Sequence, residues 1–96
     1  MAHYVILGNF TDQGIRAVKD TAKRAKSLRE AAGVAGVRLK DIFWTMGTYD
    51  LVITAEAAND ELVTSMMMRV GSMGNMKTQT LRAFGESEIE AILSKV

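Results

Sequence analysis

Strand-like and helix-like segments alternate along this 96-residue chain in the order strand, helix, strand, strand, helix, strand, and that order leaves few folds open to it. Tyr4 to Asn9 is rich in β-branched and aromatic residues, as a strand requires. Thr11 or Asp12 can then N-cap a helix in which Ile15, Val18, Ala22, Ala25, Leu28 and Ala32 recur every three or four positions, with Gly33 as its stop. Val37 to Met46 and Leu51 to Ala57 read as a hairpin turning at Gly47, where a permissive backbone is available. Asn59 caps a second helix with Asp60 and Glu61 in its first turn and Leu62, Met66, Val70 and Met73 along one side; Gly71 and Gly74 mark its end. Met76 to Phe84 is a fourth strand. Ser87 and Glu90 make a capping-box pattern opening a short last helix with Ile89, Ile92, Leu93 and Val96 on one side. Two right-handed βαβ crossovers on one four-stranded antiparallel sheet give an α+β, ferredoxin-like βαββαβ fold with both long helices on one face, followed by a C-terminal helix.

Length and composition narrow the function classes. Residues 1–96 make one domain. A chain this short buries only about 60–65% of its unfolded surface, so association would add to a modest core. With no cysteine there is no disulfide, thiolate ligand or cysteine nucleophile, and proline is absent too. The apolar run Tyr4 to Leu7 is too short for a signal peptide or a membrane span, so a soluble cytoplasmic protein is the expectation. Net charge is +1 but unevenly spread: residues 1–40 hold eight Lys/Arg against three Asp/Glu, a net of +5, and residues 41–96 four against eight, a net of −4. Arg16, Lys19, Lys23, Arg24, Lys26 and Arg29 carry most of the basic excess on the first helix. They read as the solvated face of an amphipathic helix rather than an anion- or nucleic-acid-binding stripe, and no aromatics interleave with them as a single-strand binding surface requires.

Strand side chains alternate faces, so strand parity proposes which ones share the sheet face away from the helices. Leu51, Ile53 and Ala55 are assigned to the helices, leaving Asp50, Val52, Thr54 and Glu56 on the open face. By the same alternation Leu81 and Ala83 go inward, and Met76, Thr78, Thr80, Arg82 and Phe84 stay open. Val5 and Leu7 go inward, and Tyr4, Ile6 and Gly8 stay open. Phe43 and Trp44 remain unassigned because their strand does not alternate cleanly. A face mixing Tyr4, Ile6, Val52 and Phe84 with polar side chains is expected to be covered by a second copy or to line a ligand cavity.

The chemistry-bearing candidates lie on or beside that face. Gly47-Thr48-Tyr49-Asp50 puts a phenol beside a carboxylate at the hairpin tip. Tyr49 and Asp50 can orient a ligand, and a desolvated Asp50 can act as a general base. The competing reading is that Asp50 accepts backbone N–H bonds at the turn. Arg82 can neutralise an anion or pair with Asp50 or Glu56, and Thr78 and Thr80 can donate or accept hydrogen bonds. The ligand-binding candidates are therefore Tyr49, Asp50, Thr78, Thr80 and Arg82. His3 is the sole histidine and has no partner for a protein-made metal site or a triad. Gly71-Ser72-Met73-Gly74-Asn75 follows a helix and precedes a strand, the wrong order for a phosphate loop. In Met66-Met67-Met68 two side chains are expected to pack in the core and the third to be more exposed.

Three blocks resemble the GYD domain family. They are Tyr4-Val5-Ile6-Leu7-Gly8-Asn9-Phe10-Thr11-Asp12-Gln13-Gly14-Ile15, then Trp44 to Val52 with its Gly-x-Tyr-Asp signature, then Gly71 to Phe84; Asp20-Thr21 and Lys23-Arg24 extend the match. Ala22, where similar sequences often have proline, and the Met-rich helix depart from the pattern. The resemblance implies a small bacterial or archaeal protein of the dimeric α/β-barrel type, whose relatives in fold include cofactor-free monooxygenases, lactone isomerases, haem-dependent enzymes and amino-acid-sensing domains. Fold analogy does not choose among these. The leading expectation is a homo-oligomer binding a small polar or anionic metabolite in a sheet-face cavity, with no nucleic acid or membrane partner and no cofactor named. The alternatives are a monooxygenase- or isomerase-like enzyme with Asp50 as base and Tyr49 or Trp44 stacking the substrate, and a structural assembly module without ligand.

Overall fold

The computed structural model describes residues 1–96 and places every predicted segment in the expected order. β1 (Ala2–Phe10) leads through α1 (Asp12–Arg16) and a 3-10 turn (Val18–Asp20) into α2 (Thr21–Val34). The hairpin β2 (Val37–Trp44) and β3 (Leu51–Ala57) follows, then α3 (Asp60–Ser72), β4 (Met76–Ala83) and α4 (Glu86–Leu93). The strands stand in the order β2-β3-β1-β4, and every adjacent pair is antiparallel. This is the ferredoxin-like arrangement that the alternation predicts.

The first helix is not continuous. Thr11 caps α1, its hydroxyl accepting from Gly14 N at 3.0 Å, but α1 ends after Arg16. The break follows from a tight junction between the β1–α1 turn and the α3–β4 turn. Thr11 N donates to Asn75 O at 3.1 Å and Thr11 Oγ1 to Gly74 O at 2.5 Å, while Gln13 Nε2 reaches Met73 O at 3.1 Å. α1 is thereby held against a loop at the sheet's end, whereas α2 must run across the sheet. Ile15 and Val18, expected on the apolar side, are exposed. Arg24 Nη1 donates to Ala17 O at 3.3 Å, satisfying a carbonyl freed by the break. The stop also moves: Gly33 lies within α2, and Gly36, at φ +87°, makes the turn into β2. Asn59 caps α3 as expected, accepting from Leu62 N at 3.0 Å. α4 starts earlier than the Ser87–Glu90 pattern suggests: Gly85 is the cap residue, and its N–H donates to Glu88 Oε1 at 3.2 Å.

The faces of β1 and β4 are the reverse of the parity assignment. β1 pairs with β3 so that Ile6 stands opposite Ile53, Tyr4 opposite Ala55 and Gly8 opposite Leu51. Directly opposed residues share a face, so Tyr4, Ile6 and Gly8 go to the helices with Leu51, Ile53 and Ala55, and all six are buried. β4 follows: Thr78, Thr80 and Arg82 oppose Gly8, Ile6 and Tyr4 on the helix side, while Leu81 opposes Val5 on the open side. Both alternating sets of β1 are apolar, so alternation alone carried no preference there. In β2 the register slips between Leu39 and Asp41, a bulge that accounts for the broken alternation. Beyond it Phe43 opposes Val52 on the open face, and Trp44 opposes Leu51 on the helix side.

The core lies between the sheet and α3: Tyr4, Ile6, Val37, Leu39, Ile53 and Ala55 meet Val63, Met66, Met67 and Val70. Met68 is exposed, so the triplet divides as expected. α2 contributes only Ala32 as a fully buried residue. α4 neither folds over the open face nor joins the core; all its residues except Glu88 are exposed. The radius of gyration is accordingly 14.3 Å, against about 12.5 Å for a compact chain of this length.

Gly14 offers a test of the loop junction. A Cβ there would lie 2.0 Å from the Asn75 carbonyl oxygen, a backbone atom that cannot swing aside. Gly14→Ala should cost at least about 1–3 kcal/mol, seen as a lower urea midpoint at unchanged m. Gly33→Ala, with nothing within 4 Å, should be neutral or stabilising by up to about 1 kcal/mol.

Candidate functional site

Because α2 brings mostly small side chains to the sheet, a cavity of about 750 Å³ remains between α2, α3 and the helix side of the sheet. Ile6 and Gly8 of β1, Ile42 of β2, Leu51 and Ile53 of β3, and Met76 and Thr78 of β4 form its floor. Ala25, Leu28 and Ala31 of α2 face Met67 and Val70 of α3 across it, and Met73 and Asn75 line the α3–β4 turn. Lys23, Arg24 and Lys26 add a basic side. Its size falls within the range of small-molecule pockets. A Cβ at Gly8 would lie 2.7 Å from the Met76 methyl, the far end of a flexible side chain that can swing aside.

The five predicted ligand residues do not converge. Thr78 lines the cavity; Tyr49, Asp50, Thr80 and Arg82 do not. Tyr4, opposite Arg82, and Gly8, bonded to Asp50, are four residues apart on β1, or about 14 Å. Asp50 and Arg82 therefore serve opposite ends of the sheet.

Asp50 is engaged with backbone. Its N–H donates to Gly8 O at 2.9 Å, its Oδ2 accepts from Phe10 N at 2.9 Å, and its carbonyl accepts from Thr45 N at 2.8 Å. Thr45 Oγ1 donates to the Tyr49 carbonyl at 2.5 Å, closing the loop, and Gly47 turns it at φ +108°. The tetrapeptide thus braces the end of β1 where that strand enters the α1 turn, at the end of the cavity lined by Phe10, Asn75 and Met76. Arg82 serves the other end. Its guanidinium donates to Glu88 at 3.2 Å and to His3 O at 3.3 Å, and stacks 4.5 Å from the Phe84 ring centroid. It roots α4 on the sheet.

Perturbed titratable groups lie outside the cavity. Burial, reinforced by a hydrogen bond to Asp60 Oδ1 at 2.5 Å, pushes the Tyr4 phenol up from 10.0 to about 12. The Lys40 ammonium, 3.1 Å from Glu56, holds that carboxyl below its ordinary value. Glu88 is lowered by the Gly85 N–H and then by Arg82. His3 stands between these two carboxylates, 3.9 Å from Glu56 and 3.8 Å from Glu88.

Sequence reasoning missed most of the cavity. Lys23, Arg24 and Lys26 resemble any solvated helix face until the register shows what α2 stands over. The alanines of α2 were the available signal, because a helix with so few large apolar residues cannot fill its own interface with a sheet.

Comparison with known proteins places this geometry. The GYD domain family matches over residues 4–93. The chain belongs to the GYD domain family. A glutamine synthetase and cystathionine beta-lyase binding protein of Thermus thermophilus is similar to it, with 30% identity over 94 residues covering 97% of this chain and 99% of that protein. Two crystal structures share the fold. FFRP-DM1 aligns with a TM-score of 0.61 at 17% identity, over 88% of this chain and all of its own. TTHA0845 of Thermus thermophilus aligns with a TM-score of 0.57 at 20% identity, over 88% of this chain and 95% of its own. In this GYD domain the Gly47–Asp50 signature is built into the backbone at one end of the sheet.

Two measurements examine these assignments. Asp50→Ala should cost about 1.5–3 kcal/mol through loss of a hydrogen bond to a charged acceptor, with Asp50→Asn losing less; equal stability of Asp50→Ala and the parent would refute the brace. Tyr4 predicts an alkaline dependence. Below pH 10 it is protonated in both folded and unfolded chains, so it contributes no slope. Above that the unfolded chain ionises first, and stability should fall between about pH 10 and 12. Tyr4→Phe should flatten that fall.

Proposed function

We propose that this GYD-domain protein is a homo-oligomeric binding protein that holds a small molecule between its helices and its sheet. The observation that carries this reading is the cavity of about 750 Å³ walled by the central strands and both long helices. A binding role is preferred to an enzymatic one because Asp50, the candidate base, accepts from Phe10 N and does not line the cavity, and because the shifted Tyr4, Glu56 and Glu88 lie away from it. Of the ligand residues expected from sequence, Thr78 keeps that role; Tyr49 and Asp50 shape the cavity's end and Arg82 anchors α4. On the sequence reading, the compartment is the cytoplasm.

Oligomerisation is supported by the open sheet face. Phe43 is 56% and Leu81 40% exposed on it, with Val5, Leu7 and Val52 half-buried between them. A two-sided sheet of this kind leaves apolar area that a second copy can cover in the manner of a dimeric α/β barrel. α4 presents Ile89, Ile92 and Leu93 with no cover of its own, and so is available to the same partner. A second reading, docking onto other proteins, is favoured by that projecting helix and by the Thermus relative, which is named for binding two enzymes.

The oligomer and the ligand are tested separately. Light scattering after size exclusion should give at least twice the 10.5 kDa chain mass, and Leu81→Asp should return it to a monomer. Native mass spectrometry of the purified protein should show a retained small molecule, or a metabolite screen should raise its melting temperature. A protein that retains nothing and responds to no metabolite is not a small-molecule binder, and one that runs as a monomer before substitution is not a homo-oligomer.

A further inference from the structure

We infer that the ligand of this cavity is an amphipathic anion: an apolar chain or ring carrying one terminal carboxylate or phosphate. This rests on the cavity being a ligand site and adds the chemistry of what fills it. The floor and the α3 wall are apolar, formed by Ile6, Ile42, Leu51, Ile53 and Val70 with the adaptable thioethers of Met67 and Met76. A ligand polar throughout would leave its hydration there without replacement partners. The body of the ligand must therefore be apolar.

Its head group follows from the cavity's polar complement, which consists largely of donors. Lys23, Arg24 and Lys26 line one side with Glu30 as the only carboxylate. None of the three cations is paired with an acid; every ion pair of the molecule involves Glu56 or Glu88, on other elements. The neutral groups lean the same way. Thr21 Oγ1 already accepts from Trp44 Nε1 at 3.0 Å, which leaves its O–H to donate. Asn75 Oδ1 accepts from Gln13 Nε2 at 3.0 Å, which leaves its amide N–H groups to donate. Three cations without an acidic partner and four neutral hydroxyl or amide groups, Thr21, Ser27, Asn75 and Thr78, around an otherwise apolar floor match a single anionic head on an apolar tail. A cationic head would meet three like charges, and an uncharged one would gain nothing from them, since Lys23 and Lys26 are exposed to water and Arg24 donates to Ala17 O.

Trp44, the only tryptophan, is bonded to cavity-lining Thr21 and reports occupancy by its fluorescence. The full-length protein is titrated with decanoate, decyl phosphate, decanol and decyltrimethylammonium. Both anions should saturate and bind about tenfold tighter than decanol, a difference of about 1.4 kcal/mol, with the cation weakest. A carboxylate source is indicated if decanoate binds tighter than decyl phosphate, a phosphate source if the reverse. Lys23→Gln with Lys26→Gln, both exposed and therefore compatible with folding, should reduce the anion preference to the share that Arg24 supplies and leave decanol binding unchanged. Ala25→Phe, filling the α2 wall, should weaken all four. Decanol or the cation binding as tightly as decanoate overturns the anionic assignment while the cavity stays a binding site. So does failure of all four probes on protein that retains some other molecule in native mass spectrometry. Non-saturating, equal responses, or no binding by probes and no retained molecule, remove the ligand site itself.

Discussion

The register that sets Ile6 opposite Ile53 is the constraint from which the rest of this structure follows. It places Tyr4, Ile6 and Gly8 beside Leu51, Ile53 and Ala55 and so makes one face of the two central strands continuously apolar. A slip of one residue would bring Val5 and Leu7 to the helices instead and turn Tyr4, with its phenol bonded to Asp60, out to the other side. The register is secured at both ends. Asp50 bonds Gly8 and Phe10 at one end, and Arg82 ties His3 O to Glu88 at the other.

With the core on that face, the helices divide the remaining work unequally. α3 packs four large side chains onto the sheet, whereas α2 supplies alanines and a half-buried Leu28, and the space between them stays open. The cavity is thus a consequence of small residues on one helix rather than of a dedicated loop. The same division explains the elongated shape, because α4 adds nothing to the core and stands out from the sheet edge on Glu88 and Arg82.

The loops at the cavity end behave as one unit. Thr11, Gln13 and Gly14 lock onto Met73, Gly74 and Asn75, and the Gly47–Asp50 turn braces the strand that feeds them. The signature tetrapeptide and the third block of family resemblance therefore act on the same end of the sheet. Phe10 joins the hairpin to the cavity, since Asp50 accepts its N–H and the residue is part of the lining.

Much of this was legible in the amino-acid sequence. Element order, the Asn59 cap, the Gly47 turn, the division of Met66, Met67 and Met68, and the alternation of β3 all come from local preference and from patterns with one strong reading. Where two readings were equally apolar, local information carried no preference. Val5 and Leu7 against Tyr4 and Ile6 is such a case, and the pairing with β3 decided it. The helix from Thr11 to Gly33 was broken by contacts with residues some sixty positions away, which no local periodicity contains. Local patterns thus reach as far as a βαββαβ chain with a tight hairpin and a basic, alanine-rich helix. Which face of β1 and β4 is buried, the binding of Asp50 to backbone, and the cavity beneath the basic helix emerge only on packing, because each depends on register between strands distant in sequence.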